Sequence, residues 1–411
     1  MTEKTPNIET GRRSVLALTL AICFIYGLTG GLRGNFGVLL QPLADNCGLS
    51  YGTVSSIFAV SQLVFGLLQP AFGILALRTS NRTVMCIGTA LASAGLLLTP
   101  FVHSAPGLLL SMGLLFPAGT AGLSFGLLLG IVSPQVSESQ GSIVSGWLNA
   151  SSGIGTTVLA PAVQAVFAAF GLLGAMLFLG VPTLLFFPLT FWLCRTPSRS
   201  RESGAEARRA KAPRINIREM VASAWRSRDY RFLLLGFSTC GFHIGIVEMH
   251  FFNQLTFIGL ERSTAALLFT LYGVFTMTGS ALSGYLCTRL PMHIVLGTIY
   301  GVRVLLGLLM IAVPNSAGML AALIVFIGLT SDSTVSPTSG LILRHFGAAE
   351  LATLFGFAFL LHQVGCFASA WFGGWTFDTF HTYSFLWLAD AALCAAAAFV
   401  SFRVRERPEK R

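Results

Sequence analysis

GILALR at Gly73–Arg78 returns 211 residues later as GYLCTR at Gly284–Arg289. The same offset carries Gly30 onto Gly241, Gly48 and Leu49 onto Gly259 and Leu260, Thr53 onto Thr264, and Phe58 onto Phe269. At an offset of 210, Gly146 and Gly155 fall on Gly356 and Gly365. Each coincidence is weak alone in so apolar a chain, but their common order and spacing describe a duplication.

The duplicated unit is made for a membrane. Of 411 residues, 54% are hydrophobic and 10% charged, against roughly 25% charged in an ordinary soluble domain. Apolar runs of about 20 residues or more recur, the length that crosses about 30 Å of hydrocarbon at 1.5 Å per helical residue. Helices are therefore the spanning element, because a barrel would show alternating strands of about ten residues. Spans fall near 14–43, 53–77, 84–104, 106–133, 141–169 and 171–194, then 232–257, 263–287, 292–313, 316–342, 350–374 and 383–404. The expected fold is all-α and integral to the membrane: twelve transmembrane helices in two pseudo-symmetric six-helix bundles, residues 1–194 and 232–404, with a short tail at 405–411. The first span is too long for a cleaved signal peptide.

Between the bundles, residues 195–231 carry eleven basic residues against four acidic ones. The first part reads as a cytoplasmic linker and 215–231 as a basic amphipathic helix on the anionic leaflet. With these spans, every Lys and Arg except Arg33, Arg262 and Arg303 falls on one side. The positive-inside rule then puts both termini in the cytoplasm and the chain in the cell (inner) membrane as a multi-pass protein. This distribution accounts for the net charge of +10, with the lipid bilayer as partner and no nucleic acid. The eight cysteines have no metal-site or disulfide spacing, so neither a metal nor a cofactor is expected.

Twelve spans, a long loop after the sixth and Gly-x-Leu-x-x-Arg in both halves resemble the major facilitator superfamily, over essentially the whole chain. The loop motif departs from that family's pattern, which has an acidic residue where Leu77 stands and a glycine where Ser80 stands. Gly73, Arg78, Arg82, Gly284 and Arg289 are the resulting cytoplasmic-gate candidates. The stretches RGNFGVLLQPLADNCGLS, TVSSIFAVSQLVFGLLQPAFG and RHFGAAELATLFGFAFLLHQVGCFASAWFGGWTFD are most similar to the monocarboxylate and oxalate/formate transporter families. The resemblance implies that Arg33 matches a first-helix basic residue that serves proton and anion binding. Those families also carry an eighth-helix arginine on the substrate carboxylate, with an aspartate one turn earlier in monocarboxylate transporters; counting back from Gly284, this chain has Ser280 and Thr276.

Charges inside spans cost roughly 2.5–3.5 kcal/mol each and therefore mark candidate sites. Arg33, with Asn35 beside it, lies roughly 28 Å along its helix from Ser14; it either snorkels to the boundary or faces a cavity, where Gly30, Gly31 and Gly34 leave room for a partner or ligand. Arg303 is mid-span and reads either as a structural partner of Asp332 or Asp390 or as an anion ligand. Asp332, Ser336 and Ser339 share a face at i, i+4 and i+7, and Pro337 frees a backbone carbonyl. His243, His250 and Gln254 share a stripe from which Glu248 points away. A carboxyl in the apolar run around Glu248 suits a proton carrier, and Asp332 and His362 are the alternatives. Asn149, Ser152 and Thr156 form one face of the fifth span, while Gly119, Gly122, Gly126 and Gly130 form a packing side on the fourth.

No nucleotide-binding loop is present, which leaves an ion gradient as the energy source. The expected function is secondary transport by alternating access of a small solute, an organic anion moved with protons. Proton-driven efflux of a drug-like solute and a non-transporting sensor are the alternatives. No enzyme is expected, since no catalytic cluster has recognisable spacing.

Overall fold

The computed structural model describes residues 8–132, 138–194, 217–312 and 317–406. These residues are mostly helical, and eleven of their helices are long and apolar enough to cross a membrane. One such stretch, Ala150–Leu193, has 44 residues, about 66 Å if straight and roughly twice a hydrocarbon core. It breaks at Gly171, whose φ of 66° and ψ of −165° are non-helical, at the boundary expected between the fifth and sixth spans.

The first span is not the single helix expected over 14–43. Helix α1 runs Ile8–Gly34 and α2 runs Phe36–Cys47, with Asn35 between them at φ −117°, ψ 19°. The Asn35 amide donates to Gly31 O at 2.8 Å and to Thr156 O at 3.0 Å, stitching the bend to a neighbouring helix. Helix α3 follows at Tyr51–Arg78 and α4 at Asn81–Leu98, both N-capped by serine: Ser50 Oγ accepts from Thr53 N, and Ser80 Oγ from Thr83 N. The next crossing, from Ala105 to Val132, is interrupted by a π-helical turn at Leu109–Leu115. Helix α5 spans Glu138–Thr183 across the Gly171 break.

The amphipathic helix after the linker is shorter than expected. Helix α6 is Ile217–Arg226, and Ser227 caps α7 (Arg228–Ile246), so Arg228 and Arg231 belong to the crossing itself. The linker at 195–216 and the tail at 407–411 lie outside the described residues. A π turn at Val247–Phe251 continues α7, followed by α8 (Arg262–Arg289), α9 (Met292–Ala312), α10 (Ala317–Ser331), α11 (Val335–Phe346), α12 (Ala348–Phe380) and α13 (Ser384–Ser401).

The repeated residues do the same work in both halves. Gly48 (φ 62°) and Gly259 (φ 96°) end their helices in the left-handed conformation that suits glycine. The following leucine then reaches back in each case: Leu49 N to Ala44 O at 3.0 Å and Leu260 N to Leu255 O at 3.1 Å.

Helix α1 crosses α5 as α7 crosses α12, at matching positions. A Cβ on Gly30 would meet Ser152 and one on Gly241 would meet His362; Gly155 sits against Gly27 O, and Gly365 against Ser238 O. Thus the glycines around Arg33 make room for helix α5. On the fourth span, Gly119 and Gly122 pack on α4 around Gly88, whereas Gly126 and Gly130 face open space. The apolar core joins both halves, from Phe36, Phe58 and Phe116 to Phe251, Phe269 and Trp387.

Candidate functional site

A cavity of about 90 Å³ lies between the two halves, lined by Tyr26, Gly30, Arg33, Ser152, Gly153, Thr156, Ile244, Glu248, Tyr272, Gly273, Thr276 and Asp332. Five structural units supply these residues: α1, α5, α7 with its π turn, α8 and the 3₁₀ turn Asp332–Thr334.

Arg33 is half-buried at the end of α1. Its guanidinium carbon lies 3.4 Å from the centroid of the Phe65 ring, and its Nε has no hydrogen-bond partner. Glu248 sits on the π turn, with Gln62 Nε2 3.5 Å from its Oε2. Asp332 is exposed toward the cavity. Among the described residues, no two of these three charges lie within the 4.0 Å of an ion pair. One cation from the first half and two carboxyls from the second thus line the same cavity, together with the hydroxyl-bearing residues Ser152, Thr156, Tyr26, Tyr272 and Thr276. Ser152 and Thr156 are where the fifth-span face was expected to reach; the side chain of Asn149 lies outside the described ones.

Four other candidates are placed elsewhere. Asn35 is buried in its stitch to Gly31 and Thr156. His243 is fully buried away from the cavity, its Nδ1 2.7 Å from Asp390 Oδ2. Arg303 pairs with neither Asp332 nor Asp390. Its Nη2 donates instead to Thr330 O and, at 2.6 Å, to Ser331 O, carbonyls at the end of α10, so the expected ion pair is corrected to a helix-end contact. His362 stacks on Phe359, with ring centroids 5.6 Å apart, and tilts against Phe237.

The expected face of Asp332, Ser336 and Ser339 is broken by the 3₁₀ turn, and only Asp332 lines the cavity. Pro337 does free the carbonyl four residues back: Ser333 O accepts from Ser283 Oγ at 2.5 Å. His243, Asp390 and Cys394 have donor atoms within 4.8 Å of one another, the spacing of a metal site, but the short His243–Asp390 contact already satisfies two of them. His250 and Gln254, on the same stripe as His243, also pack against other helices. Gln254 Oε1 accepts from Trp387 Nε1 at 2.8 Å, and His250 belongs to the seal described next.

The cavity is sealed at the end marked by Gly48 and Gly259. Asp378 Oδ2 accepts from Ser50 Oγ at 2.7 Å and from Gly52 N at 3.0 Å. His250 Nε2 lies 3.1–3.2 Å from the Ala370 and Ser369 carbonyls and so carries its proton there, leaving Nδ1 to accept from Tyr51 Oη at 2.8 Å. Asn253 Nδ2 donates to Gly37 O at 2.7 Å, and Arg262 bridges Val38 O and Gln164 Oε1, both at 3.1 Å. Every one of these bonds except those within His250's own half joins the first half to the second.

Among the described residues the other end is open. Helix α3 has buried residues from Tyr51 to Gly66, but from Leu67 to Arg78 none of its described residues is buried. Among the described residues, Gly73 has open space around it and Gly284 meets only Ser336 Oγ, at 3.7 Å. Arg78 and Arg289 are exposed and form no hydrogen bond or ion pair among the described residues; Arg82 lies 3.9 Å over the Phe191 ring.

Part of the neutral lining was missed in the sequence: Tyr26, Gly153, Ile244, Tyr272 and Gly273. Two signals pointed there, since Ile244 is the 211-residue equivalent of Arg33, and Tyr272 lies one turn before the Thr276 singled out by counting from Gly284.

A family model described as Major Facilitator Superfamily matches residues 22–261 and 255–411. Monocarboxylate transporter 11 of Mus musculus is 25% identical over 92% of this chain and 84% of its own length. An uncharacterized MFS-type transporter of Bacillus subtilis, YcxA, is 23% identical over 90% of each chain. The oxalate:formate antiporter of Oxalobacter formigenes is 25% identical over 45% of this chain and 42% of its own. Among solved structures, a crystal structure of a mutant of the nucleoside transporter NupG is similar with a TM-score of 0.75 at 13% identity, covering 94% of this chain and 99% of that one. At that identity the likeness concerns the fold.

Proposed function

We propose a transport function from one premise: this chain belongs to the Major Facilitator Superfamily. It is a multi-pass membrane protein whose relatives are transporters of small solutes. On our reading the Ala150–Leu193 stretch makes two crossings at Gly171, giving twelve spans in two six-helix bundles related by the repeat. Both termini are cytoplasmic, in the cell (inner) membrane. The sealed end then faces outward and the open end inward, so the molecule stands in an inward-facing state of an alternating-access cycle.

The solute is a small organic anion, monocarboxylate-like and moved with protons. The observation that carries this reading is Arg33: a cation inside the cavity, with an unpartnered Nε and, among the described residues, no carboxylate within ion-pairing distance. Such a group binds an anion more readily than it remains bare. Glu248 carries the proton. A cavity of about 90 Å³ supports a solute of a few heavy atoms, against roughly 300–1,000 Å³ for drug-sized ligands.

The test is uptake of labelled lactate, formate and oxalate by proteoliposomes, with and without an inward proton gradient, beside Arg33→Gln. Gradient-driven uptake lost in the variant is expected. Absence of uptake for every carboxylate overturns the reading.

A further inference from the structure

The cavity is lined by more acidic than basic side chains. Arg33 is its cation, and Glu248 and Asp332 are its carboxyls, so a simple carboxylate would add a third acid to a wall with one counter-charge. In a low-dielectric site an uncompensated charge is costly, and two carboxyls would both have to take up protons before a monocarboxylate could settle neutrally. A dicarboxylate would fare worse still.

Asp332 does not have the look of a carboxyl held for structure. It lines the cavity and is exposed to it, and its carboxylate accepts no hydrogen bond among the described residues. The basic residue expected to neutralise it, Arg303, is turned to the Thr330 and Ser331 carbonyls. Glu248 differs, because Gln62 approaches it at 3.5 Å. The two acids are thus unequal: one is held by the protein, and the other is offered to whatever enters.

We infer that the solute is a small zwitterion, a carboxylate that also bears a protonated nitrogen, with its carboxylate on Arg33 and its nitrogen on Asp332. The assignment rests on the reading that a carboxylate binds Arg33 and deepens it. Arg33, the solute's two charges and Asp332 then cancel as two pairs, leaving Glu248 alone to carry the coupled proton. The hydroxyls of Tyr272 and Thr276 on α8, one helical turn apart, serve the polar atoms between the two ends.

The experiment compares matched solutes that differ only by the nitrogen: β-alanine against propionate, and alanine against lactate. Uptake is measured in proteoliposomes of the full chain, wild type, Asp332→Asn and Arg33→Gln. In wild type the amino member of each pair should enter at least tenfold faster. Asp332→Asn should erase that preference, so that each amino member enters no faster than its partner. Arg33→Gln should lower uptake of all four about 100-fold.

Wild-type uptake of propionate and lactate with none of their amino partners overturns the zwitterion and leaves the carboxylate reading standing. Uptake of none of the four overturns both. As a check independent of the variants' folding, thermal stabilisation of purified wild type should be larger with alanine than with lactate, and the reverse order counts against the proposal.

Discussion

The crossing of α1 with α5 and that of α7 with α12 share close glycine contacts and differ where they border the cavity. Their packing positions coincide: Gly30 against Ser152 mirrors Gly241 against His362, and Gly155 against Gly27 mirrors Gly365 against Ser238. Their cavity-facing positions do not. Arg33 corresponds to Ile244, Gly37 to Glu248, and Phe65, the ring under Arg33, to Thr276. Two copies of one scaffold thus present a cationic wall and an acidic wall to the same space. Backbone packed on backbone tolerates no added atom, so the contact positions must match; a cavity wall has room for change.

If the packing positions are equivalent, breaking either should cost the same. A Cβ at Gly155 would collide with Gly27 O, and one at Gly365 with Ser238 O. Gly155→Val and Gly365→Val should each cost about 3 kcal/mol or more and abolish monodisperse protein on size-exclusion chromatography. Gly356→Ala, with open space around it, should not. A large difference between the two valine variants would break the equivalence.

The cavity positions should behave oppositely. Arg33→Gln should lower uptake about 100-fold, the scale of leaving a buried carboxylate unpaired. Ile244→Gln, at the matching position, should change it by less than about fivefold. Transport kinetics on both variants sharpen the contrast.

The sealed and open ends offer a further comparison. Asp378→Ala removes the acceptor for Ser50 Oγ and Gly52 N, bonds to a charged group worth roughly 1.5–3 kcal/mol. The outward-open population should rise about tenfold, read as a longer distance between spin labels at the exposed Thr53 and Thr379. The smallest effects belong to the helix ends: Gly48→Ala and Gly259→Ala, at φ of 62° and 96°, should each cost about 1 kcal/mol in thermal unfolding.

Much of this was legible in the chain, for definable reasons. Charges within apolar runs are expensive, so Arg33, Glu248 and Asp332 stood out one by one. A lone polar residue such as His243 or His362 stands out equally, and periodicity does not say whether it meets solute or a neighbour. The pairing of His243 with Asp390 spans 147 residues, and Arg303 finds its carbonyls only because a 3₁₀ turn interrupts the helix after Ser331. The bend at Asn35 was missed because its stitch reaches Thr156, on another helix.

The sequence by itself determined that helices cross a membrane, that residues recur along it at a common offset, and where its charges fall within apolar runs. These follow from length, composition and spacing, quantities local to the chain. Only the tertiary structure decided which buried charges share a cavity and which end of it is closed. Both depend on how helices far apart in sequence rotate against one another, and a rotation of a third of a turn moves a side chain from solute to neighbour without changing a residue.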